Sequence, residues 1–91
     1  MLIYLIIPTY NEKENLPNLV AAIAENLKNY HYQILIVDDN SPDGTGQIAE
    51  SLKEKYPVLV LHRSGKLGIG SAYINGFKQA LAAGADLIFE M

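Results

Sequence analysis

Two polar segments and one glycine-rich segment hold the side chains of this 91-residue sequence that could do chemistry. Tyr10 and Glu12 stand in the first, just after an apolar run closed by Pro8. A tyrosine ring there can stack on a base, and a carboxylate can accept from ring N–H groups or sugar hydroxyls. The same residues also read as a packed tyrosine and a first-turn glutamate that favours a helix dipole. Asp38 and Asp39 stand side by side ahead of Asn40-Ser41-Pro42-Asp43-Gly44. An acid in that position takes ribose hydroxyls in dinucleotide-binding folds and reads a base edge in others. Alternatively, adjacent carboxylates contribute hard oxygen ligands to Mg²⁺ or Mn²⁺. The plainer alternative is a polar turn in which Asp38 accepts from local amides and Asp43 sits in a first helical turn. Adjacent acids repel unless solvated or bound, which favours a ligand role for at least one of them.

Arg63, Lys66, Gly68 and Gly70 form a short basic, glycine-rich segment whose amides could approach a phosphate. It is not a P-loop, because no Gly-Lys-Ser/Thr follows at the required spacing, and Tyr73 stands where a third dinucleotide-motif glycine would be. The alternative is glycines serving a tight turn and close helix packing. His31 and His62 are isolated and read as surface or strand-end residues. Asn75 and Gly76 read as part of a helix and its packing.

The elements that must position these residues follow from periodicity. Residues 2–7 are a continuous β-branched and aromatic run, which marks a strand buried on both faces. Leu16, Leu19, Val20, Ile23 and Leu27 fall on one face of a helix over residues 12–29, with Asn11 and Glu14 in the spacing of a capping box. A second strand follows at 33–37 and a second helix to about residue 55, with Ser41 and Pro42 as its cap and first turn. A third strand is expected at 58–62, a third helix at 71–83 ended by Gly84, and a fourth strand at 86–91. This alternation predicts an α/β open parallel sheet with helices on both faces, and right-handed crossovers favour the strand order 3-2-1-4. Ligands of such sheets bind at the carboxyl ends of the strands beside the switch point, here between strands one and four.

Composition narrows the function classes. With 7 Lys+Arg against 10 Asp+Glu and a net charge of −3, the chain is too acidic to hold a polyanionic nucleic acid by counterion release. The absence of cysteine excludes a disulfide frame, a thiolate metal site and a cysteine nucleophile, and suits a reducing compartment. Residues 1–7 lack a basic leader and fall short of the ~20 residues that span a bilayer, so the run reads as neither signal peptide nor membrane helix.

Three ordered segments carry a resemblance over nearly the whole chain: Pro8-Thr9-Tyr10-Asn11-Glu12, Val37-Asp38-Asp39-Asn40-Ser41-Pro42-Asp43-Gly44-Thr45, and residues 66–76 with Gly68-Ile69-Gly70-Ser71-Ala72-Tyr73. Together they resemble the family-two inverting glycosyltransferases, and among those the polyprenol (dolichol) phosphate mannosyltransferases. The resemblance implies the Rossmann-like nucleotide-binding half of a GT-A fold, GDP-mannose as donor and a polyprenyl phosphate as acceptor. Carried over position by position, it implies that Pro8, Tyr10 and Glu12 line a guanosine pocket. It implies further that Asp39 contacts the base with Val37 and Asp38 beside it, and that Gly68 frames the other side. A Mg²⁺ or Mn²⁺ ion on the donor diphosphate would be held by an Asp-x-Asp motif expected directly after Phe89-Glu90-Met91. On that expectation residues 1–91 are the amino-terminal part of a longer enzyme, hold neither the metal ligands nor the catalytic groups, and do not transfer sugar alone. The acceptor loops and any peripheral membrane contact would lie outside them, and the enzyme is expected at the cytoplasmic face of a membrane.

Two other readings share these residues: a family-two transferase for another nucleotide sugar, and a non-catalytic nucleotide-binding module. A dinucleotide-binding oxidoreductase is disfavoured, because residues 8–13 contain no glycine.

Overall fold

Leu2–Thr9, the first strand (β1), is the centre of the sheet because its neighbours on both sides are parallel strands. The computed structural model describes residues 1–64 and 68–91. After β1 come α1 (Leu16–Leu27), β2 (His31–Asp38), α2 (Thr45–Leu52), β3 (Val58–His62), α3 (Ile69–Ala82) and β4 (Leu87–Glu90). The strand order is β3-β2-β1-β4, as the alternation of elements implies. The register brings Thr9 opposite Asp38 and Asp38 opposite His62, so three strands finish at one level. The residues that follow each strand therefore emerge along one edge.

Side-chain alternation divides the core in two. Ile3, Leu5 and Ile7 of β1, with Ile34 and Ile36 of β2, pack against Leu16, Val20 and Ile23 of α1 and Ala49 of α2. Tyr4, Ile6, Leu35 and Val37 face the other way, onto Ala72 and Ala80 of α3. A strand buried on both faces needs no polar residue in alternate positions, which is why β1 and β2 read as continuous apolar runs. Pro8 lies within β1, opposite Val37, rather than closing it. The carbonyls of Leu2 and Ile6 accept from Asp86 and Met91, so even-numbered residues of β1 face β4. The β4 ladder ends at Ile6 opposite Glu90, so the N–H that Pro8 lacks is not needed there.

Several helix boundaries differ from the sequence-based expectation. α1 begins at Leu16, with Asn15 as its cap residue, and Pro17 occupies the first turn where a missing N–H is harmless. Residues 12–15 form a turn instead, in which the amides of Asn15 and Leu16 both donate to the Glu12 carbonyl. Asn11 takes a left-handed φ of 57° and builds no capping box. α2 starts after Gly44 rather than at Ser41-Pro42, and residues 53–55 leave it in turns bonded three residues back. α3 starts at Ile69, two residues earlier than its apolar pattern suggests, and Gly84 (φ 81°) follows its end as expected.

Candidate functional site

The loop after β1 is held in place by the loop after β2. Three consecutive amides of the first loop are bound: Asn11 N–H donates to Ser41 Oγ (3.0 Å), Glu12 N–H to Thr45 Oγ1 (3.0 Å) and Lys13 N–H to Asp43 Oδ2 (3.2 Å). The second loop is braced in turn. Asp38, 2% exposed, accepts from Thr9 Oγ1 (2.7 Å), Ser41 Oγ (2.6 Å) and the Ser41 amide (3.0 Å). Asp43 accepts from the Thr45 amide (2.9 Å) and the Thr45 hydroxyl at the start of α2. The Thr45 hydroxyl bond, then the backbone donors of Thr45 and Lys13, hold the Asp43 carboxyl below its ordinary range. The residues of Ser41-Pro42-Asp43-Gly44-Thr45 thus act on loop geometry.

What this bracing presents is a cleft of about 280 Å³ on the α3 side of the sheet edge. Pro8, Tyr10, Glu12, Asp39 and Gly68 line it, together with Thr9, Ile69, Tyr73 and Met91. Five residues named from the sequence therefore meet at one surface. Val37 and Asp38 do not line it: Val37 is wholly buried under α3, and Asp38 points to the opposite face, beside a smaller cavity of about 140 Å³ that includes Gly46, Glu50 and His62. Tyr10 is 37% exposed. Gly68, at φ 96°, turns the chain into α3 in a conformation that side-chain-bearing residues rarely adopt.

Arg63 is the residue whose role the sequence pattern understated. It does not offer charge to a phosphate, because its guanidinium is buried against Asp39. Nε donates to Asp39 Oδ1 at 2.6 Å and Nη2 to Oδ2 at 2.9 Å, a two-pronged pair. Nη1 also donates to Ser71 Oγ (2.7 Å) and Nη2 to the Gly68 carbonyl (3.1 Å). The strand register explains the contact: His62 pairs with Asp38, which brings the next residues, Arg63 and Asp39, side by side. Ile69 and Tyr73, one helical turn apart on α3, were also missed as cleft residues. The Tyr73 hydroxyl donates to the Met91 carbonyl (2.7 Å) across the rim. Lys66 lies outside the described residues.

The reading of Asp38 and Asp39 as a metal pair does not fit this arrangement, because one carboxylate is satisfied by hydroxyl and amide donors and the other is paired with a guanidinium. Among the described residues, no three His, Cys, Asp or Glu side chains are placed to hold a metal ion. His31 is exposed at the start of β2. His62 ends β3 and meets Glu50 through Nε2 at 2.6 Å. That contact, and then Lys53, keep the Glu50 carboxyl below its ordinary range.

Comparison with known proteins now bears on this edge. The profile of "Glycosyl transferase family 2" matches residues 4–85, which includes all three strand-end segments. The chain belongs to that family. It is 49% identical over 80 residues to the dolichol-phosphate mannosyltransferase of Pyrococcus furiosus, covering 88% of this chain and 23% of that protein. It is 48% identical over 88 residues to the polyprenol monophosphomannose synthase of Mycolicibacterium smegmatis, covering 94% of this chain and 32% of that one. The family member studied here thus spans a quarter to a third of the length of these relatives. Among solved structures, the mannosyltransferase PcManGT of Pyrobaculum calidifontis, determined in complex with GDP-Man and Mn²⁺, superposes with a TM-score of 0.67 at 23% identity, over 86% of this chain and 24% of that one. At that identity the likeness is one of fold. It supports the open parallel sheet with helices on both faces.

Proposed function

We propose that this chain supplies the nucleotide-binding side of a mannosyltransferase that moves mannose from GDP-mannose to a polyprenyl phosphate. The observation that carries the reading is the convergence of Pro8, Tyr10, Glu12, Asp39 and Gly68 on one cleft at the carboxyl edge of the sheet. The cleft, about 280 Å³, lies just under the usual range of ~300–1,000 Å³ for ligand pockets. The Tyr10 ring offers a stacking face, and the carboxylates of Glu12 and Asp39 accept from base N–H groups or ribose hydroxyls. The names of the two relatives, both of which specify mannose and a polyprenol-type lipid, support the choice of sugar and acceptor, and the GDP-Man bound in PcManGT supports the choice of donor.

In this reading the whole enzyme inverts configuration by displacement at the anomeric carbon. The attacking group is a phosphate oxygen, already anionic near neutral pH, so catalysis rests on positioning and on stabilising the charge that develops on the nucleotide. A Mg²⁺ or Mn²⁺ ion would serve that last need. The described residues here provide no clamp for it, and their part is to bind and orient the nucleoside. No helix among the described residues is long and apolar enough to cross a membrane. In the same reading, the enzyme meets its lipid acceptor at the cytoplasmic face of a membrane.

The test is calorimetric titration with GDP, GMP and UDP, each with and without Mn²⁺, after circular dichroism has shown a folded chain. Guanine-selective binding that does not depend on the metal is expected. A folded chain that binds none of the three overturns the reading.

A further inference from the structure

Asp39 is buried to 6% exposure, yet it lines the cleft. A carboxylate so placed has lost most of its water, and a cation and hydrogen bonds must replace it. Arg63 does this with its Nε and Nη2 prongs, while the same guanidinium reaches Ser71 Oγ and the Gly68 carbonyl. One side chain, rooted just past β3, therefore joins the floor of the cleft to the turn that forms its far wall. Its own burial, 7% exposed, leaves it little contact with a ligand.

We propose that Arg63 is a positioning residue that sets base selectivity by holding the Asp39 carboxyl group in fixed register with Gly68 and α3. This rests on the nucleotide-binding reading above and deepens it. A carboxylate has about four acceptor sites, so each of its oxygens can serve more than one donor. A carboxylate oriented by a guanidinium discriminates by donors. Guanine presents two adjacent donors, N1–H and the 2-amino group; hypoxanthine presents only the first, and adenine presents an acceptor at N1. Lysine in place of Arg63 keeps a positive charge but is a point donor that cannot form the two-pronged pair or reach three partners in one plane.

The experiment compares the parent chain with Arg63→Lys and Arg63→Gln in titrations with GDP, IDP and ADP, alongside urea unfolding of each. The parent is expected to prefer GDP over IDP and ADP. In Arg63→Lys the GDP affinity should fall about tenfold or more, the scale of one charge-assisted hydrogen bond, with IDP and ADP affected much less. The preference between bases should therefore shrink while the unfolding transition stays cooperative. Arg63→Gln should lose more of it. Equal losses for all three nucleotides, in step with lost stability, would mean a purely structural residue and overturn the proposal, as would an unchanged preference. A second measurement needs no variant: the Arg63 Nε–H resonance of the parent should move on saturation with GDP and stay in place with ADP, and a resonance unmoved by bound GDP overturns the assignment. A parent that binds no nucleotide defeats the functional reading itself, whereas a parent that binds GDP beside indifferent Arg63 variants defeats only this proposal.

Discussion

Of the described glycines, Gly76 leaves the least room for a side chain, and adding one methyl group there tests how α3 packs on the sheet. A Cβ on Gly76 would lie 2.6 Å from Ile6 Cγ2 and 3.2 Å from both Cγ1 and Cδ1. Ile6 is wholly buried in the central strand and is β-branched, so its side chain has no alternative rotamer into which it can swing freely. Either α3 lifts from the sheet or Ile6 leaves its rotamer. Overpacking of this kind costs about 1–3 kcal/mol, and so deep an overlap belongs in the upper half of that range. Replacing glycine by alanine inside a helix returns about 1 kcal/mol. The net expectation for Gly76→Ala is a loss of about 1–2 kcal/mol. With an m-value of about 1–2 kcal/mol/M, the urea midpoint falls by about 1 M. Gly70→Ala, in the same helix but with no atom within 4 Å of the added carbon, provides the control. It should be neutral or stabilising by up to about 1 kcal/mol. In a double-mutant cycle, Ile6→Ala removes all three contacting atoms and should couple with Gly76→Ala by about 1 kcal/mol or more. A Gly76→Ala midpoint at or above the parent's, or an additive cycle, would refute this account of how α3 sits on β1.

Three further outcomes are expected. Tyr10→Ala should weaken GDP binding by about tenfold or more, since base–aromatic stacking is worth ~1–3 kcal/mol, and move the urea midpoint far less than the core substitution Ile23→Ala; calorimetry and unfolding read the two effects separately. Ile23→Ala should lose about 2–5 kcal/mol because the residue is 7% exposed in the α1 core, whereas Leu19→Ala, only partly buried, should lose less; equal midpoints would contradict the helix face. Glu50 and Asp43 both have carboxyls held below their ordinary values of 4.5 and 3.8, so their contribution is complete above those values and is lost as pH falls through the lowered ones. Thermal melts from pH 7 to 2 should therefore fall on the acid side, and Glu50→Gln should flatten part of that fall; superimposable acid limbs would argue against the His62 contact as its source.

Much of the fold was legible because its two strongest signals are covalent and local. The runs at β1 and β2 are too apolar for anything but strands covered on both faces, and α1 shows its buried stripe in Leu16, Val20 and Ile23. Helix starts were less legible. Asn11 and Ser41 have the composition of caps, but both are recruited by a tertiary contact, the Asn11 amide onto Ser41 Oγ. A pattern within one segment does not contain that competition. The glycine-rich segment misled for the same reason: Arg63 has the charge of a phosphate binder, and only the pairing of β2 with β3 reveals that Asp39 takes it.

The Asp38-Asp39 dipeptide shows how one edge can meet two demands with identical side chains. Neighbouring residues leaving a strand project to opposite faces, so the two carboxylates are separated by the sheet edge itself. Asp38 continues the face of Ile34 and Ile36, where α1 and α2 pack, and there it accepts from Thr9 and Ser41 and ties the first two loops together. Asp39 continues the face of Leu35 and Val37, under α3, where Arg63 holds it at the floor of the cleft. Pro8 and Tyr10, even-numbered on β1 and just beyond it, share that second face; Thr9 bonds to Asp38 across the first. The repulsion that adjacent acids would suffer is therefore answered twice, by neutral donors on one side and by a guanidinium on the other. It follows that the two positions should fail differently. Asp38→Ala leaves the buried hydroxyl of Thr9 and the half-buried donors of Ser41 without their acceptor and loosens the loop that presents Tyr10, so stability and affinity fall together. Asp39→Asn keeps the shape, weakens the hold of Arg63 and offers a donor where guanine also donates, so base preference should change out of proportion to stability. If both variants lost selectivity and stability in the same ratio, the division of labour read from the alternation of β2 would be wrong.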